Sequence, residues 1–156
     1  MTKRYLVTVG IFGFLVMFFG AIGDHVLKLK LTGDNYETYQ TGLQYMMYHT
    51  LALLALSFGH KMFSQKLLNV VYAFFFLGIF FFSFGMMIKA TSSYTSLHLG
   101  FFSFIVPMGG MLFVAGWLYL IYMGLSFKHT KKHHSSRSHR HHSSSSSGSR
   151  RSSSED

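Results

Sequence analysis

A polar cluster within an apolar segment holds the side chains of this chain that are best suited to chemistry. Residues 41–59 contain no Asp, Glu, Lys or Arg, yet residues 44–50 read QYMMYHT. On a helix, Tyr45 and His49 lie one turn apart, as do Gln44 and Tyr48, so each pair shares a face. Polar groups inside so apolar a segment are costly and often mark a functional site. The pattern therefore predicts a candidate site at this cluster.

Two kinds of role fit His49. An imidazole ordinarily titrates near neutral pH, so His49 could carry a proton or bind a small solute, with the neighbouring Tyr and Gln side chains lining the path. His25 follows Asp24 near the end of the preceding apolar segment. We expect His25 to lie close to His49 in the fold. The alternative is a structural hydrogen bond between helices, because a hydroxyl or a backbone carbonyl satisfies a neutral imidazole. We favour the structural role.

Enzymatic signatures are absent from the sequence. It contains no HExxH motif, no GxSxG motif and no glycine-rich phosphate loop. Cysteine is absent, which excludes disulfides, thiolate metal sites, iron–sulfur clusters and cysteine nucleophiles. No carboxylate lies in the segment that contains His49, so nothing would orient a Ser–His pair. We therefore expect no enzyme, no cofactor and no bound metal.

Four long apolar segments must position these residues. They cover residues 5–23, 41–59, 67–88 and 97–127, and none contains Asp, Glu, Lys or Arg. A hydrocarbon core about 30 Å thick needs about 20 helical residues to cross it. Only 12% of the residues are charged, against about 25% in an average soluble domain. The sequence thus predicts an all-α, membrane-embedded four-helix bundle over residues 1–127.

The first apolar segment has two interpretations. Its basic start and the small residues before Asp24 resemble a signal peptide, although the apolar stretch is long for that role. We favour a retained span, because its glycines fall near one helical face and small residues let helices pack closely in lipid. The glycines predicted to pack are Gly10, Gly13 and Gly20 in this segment and Gly109, Gly110 and Gly116 in the fourth.

Local signals indicate where two of the helices begin. Asp34 and Glu37 have the spacing of a capping box, which predicts a helix starting near Asn35, before the membrane. Pro107 cannot donate a backbone hydrogen bond inside a helix. The fourth span is therefore predicted to begin near Pro107, with residues 97–106 as a partial or re-entrant segment.

Basic residues are unevenly distributed between the two sides of such a bundle. With four spans, the N-terminus, the second connection and the C-terminal tail share one side. That side holds all of the 14 Lys and Arg residues except Lys28, Lys30 and Lys89. The positive-inside rule therefore places both termini in the cytoplasm.

Residues 128–156 form a low-complexity tail of Ser, His and basic residues. This tail has almost no apolar side chains to bury, so it is predicted to be disordered. Its basic start favours contact with anionic lipid. Its six histidines could bind a transition metal loosely, but a solvated tail is the favoured interpretation. The net charge of +9 comes partly from this tail, and no nucleic-acid-binding signature accompanies it, so no nucleic-acid partner is expected.

Three sequence blocks resemble the domain-of-unknown-function 423 family of small four-span membrane proteins. The blocks read GAIGDHVLK, TGLQYMMYHTLALL and PMGGMLFVAGW. The first departs from the family's usual GAFGAHGL at Asp24 and Val26 but keeps His25. The resemblance covers about residues 10–125 and implies a bacterial inner membrane or a eukaryotic cell membrane. It implies a fold and a location, but no activity.

Two functional classes stay open on the sequence alone. We favour a non-enzymatic, multi-pass membrane protein that acts as a packing or assembly partner. The alternative is a small-solute or proton transporter or channel that uses the polar cluster, and a homo-oligomer is then expected because four spans are few for a monomeric transporter. A dry, hydrogen-bonded His49 would favour the first class, and a water-lined cavity around it the second. The lipid bilayer is the expected partner in both.

Overall fold

The computed structural model describes residues 2–59, 63–95 and 104–126, and every element in these ranges is helical. The elements are α1 (Thr2–His25), a 3-10 turn (Leu27–Leu29), α2 (Gly33–Phe58), α3 (Gln65–Gly78), a π-helical turn (Ile79–Ser83), α4 (Phe84–Thr95) and α5 (Ile105–Leu125). Because α3, the π-helical turn and α4 follow one another without a break, they form one continuous helix. The all-α prediction is confirmed.

Three helical segments in the described ranges are long and apolar enough to cross a membrane. They are Lys3–Leu29, Gln65–Ser92 and Ile105–Leu125. α2 has 26 residues, which corresponds to about 39 Å at 1.5 Å per residue. It also carries Asp34 in its first turn and the polar cluster farther along, so it is less apolar than the other three. The predicted bundle is thus seen as four long helical segments, three of which combine length with high hydropathy.

The helices pack around a core of large apolar side chains. α2 contacts α1 on one side and α4 with the π-helical turn on the other, while α5 packs along α3. Among the residues that are fully buried between them are Met46, Leu53, Leu68, Val71, Phe75 and Ile79. The outward faces of α1 and α5 are apolar as well, with Phe14 and Leu118 among the exposed side chains. Extended apolar surfaces of this kind are typical of contact with lipid.

α1 is joined to both α3 and α2 by polar bonds. The hydroxyl of Tyr5 donates to Oδ1 of Asn69 at 3.0 Å, and the hydroxyls of Thr8 and Tyr72 lie 2.7 Å apart. Near the other end of α1, the hydroxyl of Tyr39 donates to the carbonyl oxygen of Phe19 at 2.8 Å. These contacts join α1 to the bundle near both of its ends, and the retained span stays a prediction.

Glycines let the π-helical turn lie close to two neighbouring helices. A Cβ atom on Gly42 of α2 would lie 2.9 Å from the carbonyl oxygen of Ser83. On the opposite side, a Cβ atom on Gly109 of α5 would collide with the backbone nitrogen of Phe82. Real Cβ atoms essentially never approach other atoms so closely. The turn is therefore held between α2 and α5 at two positions where only glycine fits.

The predicted packing glycines divide into two groups. A Cβ atom on Gly116 would lie 2.6 Å from the ring of Phe75. Gly116, like Gly109, therefore lies at a close contact between helices. Gly110 is less restricted, because its Cβ atom would lie 3.6 Å from the ring of Phe82, an ordinary contact distance. For Gly10, Gly13 and Gly20 nothing in the described residues lies within 4 Å of a Cβ position. No close helix contact is therefore found at these three positions within the described residues, and their packing against another span stays a prediction.

The start of α2 also differs from the prediction. The helix begins at Gly33 after the N-cap residue Thr32, two residues before Asn35, and Asp34 lies in its first turn. A carboxylate in the first turn stabilises the positive end of the helix dipole without acting as the cap. α5 begins at Ile105, which places Pro107 in its first turn, where a proline is tolerated. The predictions for residues 97–103 and for the tail at 128–156 lie outside the described residues.

Candidate functional site

His49 lies on the face of α2 that points into the bundle. Only 5% of its surface is exposed. Met46 and Leu53 are one turn away on either side and are fully buried, so their apolar contacts fix the face that α2 presents to the core. Its ring lies among side chains of α3 and α5. His49 is thus a buried polar residue within an aromatic part of the core.

Both ring nitrogens of His49 have hydrogen-bond partners. Nδ1 lies 2.9 Å from the carbonyl oxygen of Tyr45, one turn earlier on α2. The indole N–H of Trp117 on α5 donates to Nε2 at 3.2 Å. A carbonyl oxygen can only accept and an indole N–H can only donate, so these partners assign the proton to Nδ1 and leave Nε2 as the acceptor. The arrangement therefore requires a neutral imidazole.

Aromatic rings enclose the imidazole. The ring of Phe113 on α5 stacks on it at 3.5 Å between centroids and 11° between planes. The ring of Phe75 on α3 meets it edge-on at 5.2 Å. Because α2, α3 and α5 each contribute a ring, His49 connects three helices through one contact region. We call this set, formed by His49, Phe75, Phe113 and Trp117, the His49 cluster.

The other residues of the predicted site on α2 do not bond the imidazole through their side chains. Tyr45 lies beside the His49 cluster, with its ring 4.8 Å from that of Phe82, but it reaches Nδ1 of His49 through its backbone carbonyl and not its hydroxyl. Tyr48 is 59% exposed, and the side chain of Gln44 is also exposed. Both therefore lie on the outer side of α2, away from the imidazole.

His25 is not a neighbour of His49. It is the last residue of α1 and is exposed, whereas the partners of the imidazole belong to α2, α3 and α5. The end of α1 lies level with the first turns of α2, since Asp24 accepts a hydrogen bond from Gln40. His49 lies nine residues farther along α2, which is about 13 Å at 1.5 Å per residue. The expected meeting of His25 with His49 is therefore not found.

Sequence reasoning missed the residues that complete the cluster. Phe113 and Trp117 are four residues apart on α5 and share the face that carries Gly109 and Gly116. That spacing was visible in the block PMGGMLFVAGW, and Trp117 is the only tryptophan of the chain. Nothing in the sequence, however, indicated that this face of α5 would meet the face of α2 that carries His49.

A second polar group joins the end of α1 to the start of α2. Oδ1 of Asp24 accepts from the hydroxyl of Tyr36 at 2.6 Å and from Nε2 of Gln40 at 3.1 Å. Nε2 of Gln40 also donates to the hydroxyl oxygen of Tyr36 at 2.7 Å. The hydrogen bond to Asp24 raises the pKa of Tyr36, so the hydroxyl stays protonated as a donor. Sequence reasoning did not bring Asp24 and Tyr36 together.

No metal centre is found within residues 2–59, 63–95 and 104–126, where no three His, Asp or Glu side chains come together. The buried side chain of His49 already uses both ring nitrogens for bonds within the protein. In this part of the chain, the site is therefore an aromatic and hydrogen-bonded junction between helices.

The helical fold, its apolar outer faces and its span-length segments define a multi-pass integral membrane protein. Within that class, residues 19–110 match the family model described as "Protein of unknown function (DUF423)". The chain belongs to this family, as its three sequence blocks predicted. The matched range includes α2, the π-helical turn and Gly109, but ends before Phe113 and Trp117.

Relatives named as membrane proteins extend the match over most of the chain. The UPF0382 inner membrane protein YgdD of Escherichia coli K12 is 31% identical over 137 residues, covering 86% of this chain and 99% of that protein. A UPF0382 membrane protein of Haemophilus influenzae is 30% identical, covering 78% of this chain and 94% of its own length. One from Staphylococcus haemolyticus is 34% identical over 110 residues. No solved structure matches the chain.

Proposed function

We propose that this chain is a non-enzymatic membrane protein in which the His49 cluster joins α2, α3 and α5 and does not move a proton or a solute. The observation that carries the proposal is the pair of bonds to His49. Its Nδ1 faces an obligate acceptor, and its Nε2 faces an obligate donor. A group that shuttles protons must exchange partners, whereas both partners here are fixed by helices.

Protonation of the ring would disrupt this arrangement. A proton added to Nε2 would face the indole N–H of Trp117, so the interhelical bond would be replaced by two opposed donors. The positive charge would also lie in an apolar region, where an unpaired charge is strongly disfavoured. The ring is thus suited to remain neutral while the bundle is folded.

The space next to the cluster is apolar. A groove of ≈ 390 Å³ lies beside Trp117 and Phe75, and its wall is completed by Ala52, Ala55, Leu56, Gly59, Phe63, Leu120, Met123 and Gly124. None of these side chains offers a carboxylate, amide or hydroxyl group that could replace the hydration shell of an ion or a polar solute. The surroundings of His49 therefore support packing more strongly than transport.

Proton flux into proteoliposomes tests this proposal directly. Vesicles carry the full chain in their membrane and a pH-sensitive dye inside. The pH of the external buffer is then lowered, which creates a proton gradient directed into the vesicles. We expect the decay of the gradient to match that of protein-free vesicles, because the imidazole is held neutral by its two partners. A faster decay that disappears in a folded His49→Gln variant would overturn the proposal and favour a proton carrier.

Both termini are proposed to lie in the cytoplasm. The proposal rests on the basic residues, since only Lys28, Lys30 and Lys89 would lie on the opposite side of a four-span bundle. A reporter that is active only outside the cytoplasm should be silent when fused after Asp156 and active when inserted in the connection at 28–32. The reverse pattern of activity would show that the orientation is wrong.

A further inference from the structure

A groove between α1 and α2 combines an apolar floor with a polar end. It has a volume of ≈ 350 Å³. Its apolar part is lined by Val16, Met17, Gly20, Ala21, Leu43 and Met47, and its polar part by Asp24, Gln40 and Gln44. Because Asp24 and Gln40 lie near the end of α1 and the start of α2, the polar part is at the end of the apolar segment. This geometry matches the interface between the headgroup and acyl regions of a bilayer.

At the polar end, only one of the two carboxylate oxygens of Asp24 accepts hydrogen bonds from the described part of the chain. Both hydrogen bonds that Asp24 accepts within the described part of the chain end on Oδ1, from Tyr36 and Gln40. These two donors hold the carboxylate in place and leave Oδ2 available to a further donor. The exposed amide of Gln44 adds a carbonyl oxygen along the same wall. The groove therefore presents acceptors to a ligand and has a negative charge.

The floor of the groove is open because of Gly20. Nothing lies within 4 Å of the position that a Cβ atom of Gly20 would take, so the space above it is free for a ligand. The walls on both sides, including Met17 and Met47, are flexible apolar side chains suited to an acyl chain. A molecule that fits this groove has an apolar chain and a cationic head that donates hydrogen bonds.

We propose that this α1–α2 groove binds a phospholipid with a primary ammonium headgroup, of the phosphatidylethanolamine type, with the ammonium on Asp24 and an acyl chain over Gly20. A primary ammonium has three N–H donors, which can bond Oδ2 of Asp24 and the amide oxygen of Gln44 together. The quaternary ammonium of a choline lipid has the same charge but no N–H donor. Charge attraction alone would not separate these two lipids, whereas hydrogen bonding to the carboxylate does.

The test measures thermal unfolding of the full chain in detergent with added lipid. Phosphatidylethanolamine should raise the unfolding temperature more than phosphatidylcholine with the same acyl chains. In Asp24→Asn, which keeps an oxygen for Tyr36 and Gln40, the difference between the two lipids should disappear. Asp34→Asn is the matched control, because it removes the same charge from the first turn of α2 outside the groove. That variant should keep the full preference for the ethanolamine lipid.

A second pair of variants tests the acyl-chain part without changing charge. Gly20→Leu should fill the groove and lower the lipid-induced shift, and Gly10→Leu should not, although both positions are open in the fold. The helical circular dichroism of each variant without lipid shows that it has folded. These variants make the proposal testable even if Asp24→Asn fails to fold.

Four outcomes would overturn the proposal. The first is an equal shift by the two lipids in the unmodified chain. The second is an ethanolamine preference that survives in folded Asp24→Asn. The third is a full shift with free ethanolamine, which would point to a water-soluble amine. A larger shift with an anionic lipid than with either zwitterionic lipid would likewise contradict it and would assign lipid binding to the basic residues.

Discussion

Replacing Gly109 with alanine is expected to destabilise the bundle by about 2–3 kcal/mol, the upper part of the range for overpacked cores. A Cβ atom at this position would collide with the backbone nitrogen of Phe82 and lie 2.8 Å from its Cα atom. Backbone atoms cannot rotate away as a flexible side chain can. The whole of α5 must therefore shift relative to the π-helical turn, which loosens the contacts of the His49 cluster as well.

Gly110 provides a matched control for this substitution. Its Cβ atom would meet only the ring of Phe82, at 3.6 Å, so Gly110→Ala adds a methyl group in ordinary contact. Alanine has a higher helix propensity than glycine, by up to about 1 kcal/mol. Gly110→Ala is therefore expected to be neutral or slightly stabilising. Gly13→Ala, where the Cβ position is open, should behave in the same way.

Unfolding in a denaturing detergent, followed by circular dichroism, measures all three variants. We expect Gly109→Ala to unfold at a much lower detergent fraction than the unmodified chain. The two controls should unfold at the same fraction as the unmodified chain or at a higher one. If Gly109→Ala unfolded at the same detergent fraction as Gly110→Ala, the close approach of α5 to Phe82 would be contradicted. The measurement thus tests helix packing separately from helix propensity.

The sequence predicted the helices well and the contacts between them poorly. The four apolar segments correspond to the four long helical segments, because lipid selects continuous apolar helices whatever their neighbours are. Asp34 and Glu37 indicated the start of α2 to within two residues. Local signals of this kind depend on neighbours within one or two turns, so a single sequence is sufficient to find them.

The glycines of α1 show why packing faces are harder to predict. In lipid, an apolar side chain gains little by facing another helix instead of an acyl chain, so composition does not mark the buried face. Gly10 and Gly13 therefore resembled Gly109 and Gly116 in sequence, yet the first pair is open and the second is closely packed. The difference depends on where Phe75 and Phe82 lie in space, and that depends on the whole fold.

The candidate site was only partly predictable for the same reason. The spacing of QYMMYHT placed Tyr45 and His49 one turn apart, and their backbone-to-ring bond confirms that local relation. The bond from Trp117 to His49 joins residues 68 positions apart. The π-helical turn was also unpredicted, because its place between Gly42 and Gly109 is set by two other helices. Contacts between residues so far apart in the sequence form only when the helices are assembled, so local sequence patterns do not indicate them.

Replacing His49 with leucine is expected to destabilise the bundle by about 1–2 kcal/mol, within the range for hydrogen bonds between membrane helices and unpaired polar groups. Leucine cannot accept from the indole N–H of Trp117, which then loses its partner on α2. It also loses the stacking of the imidazole on Phe113 at 3.5 Å. In His49→Gln the amide oxygen can replace Nε2 as the acceptor, so the loss should be smaller.

The single tryptophan makes this prediction measurable at the site itself. Trp117 is the only indole of the chain, so its emission reports the bond to His49 without interference. Its spectrum should change in His49→Leu and be largely restored in His49→Gln. Trp117→Phe should cost about as much stability as His49→Leu, and the double variant should cost little more, because either change alone already breaks the shared bond. Fully additive losses would mean that the two side chains stabilise the bundle independently, and the His49 cluster would then not join α2 to α5 through this bond.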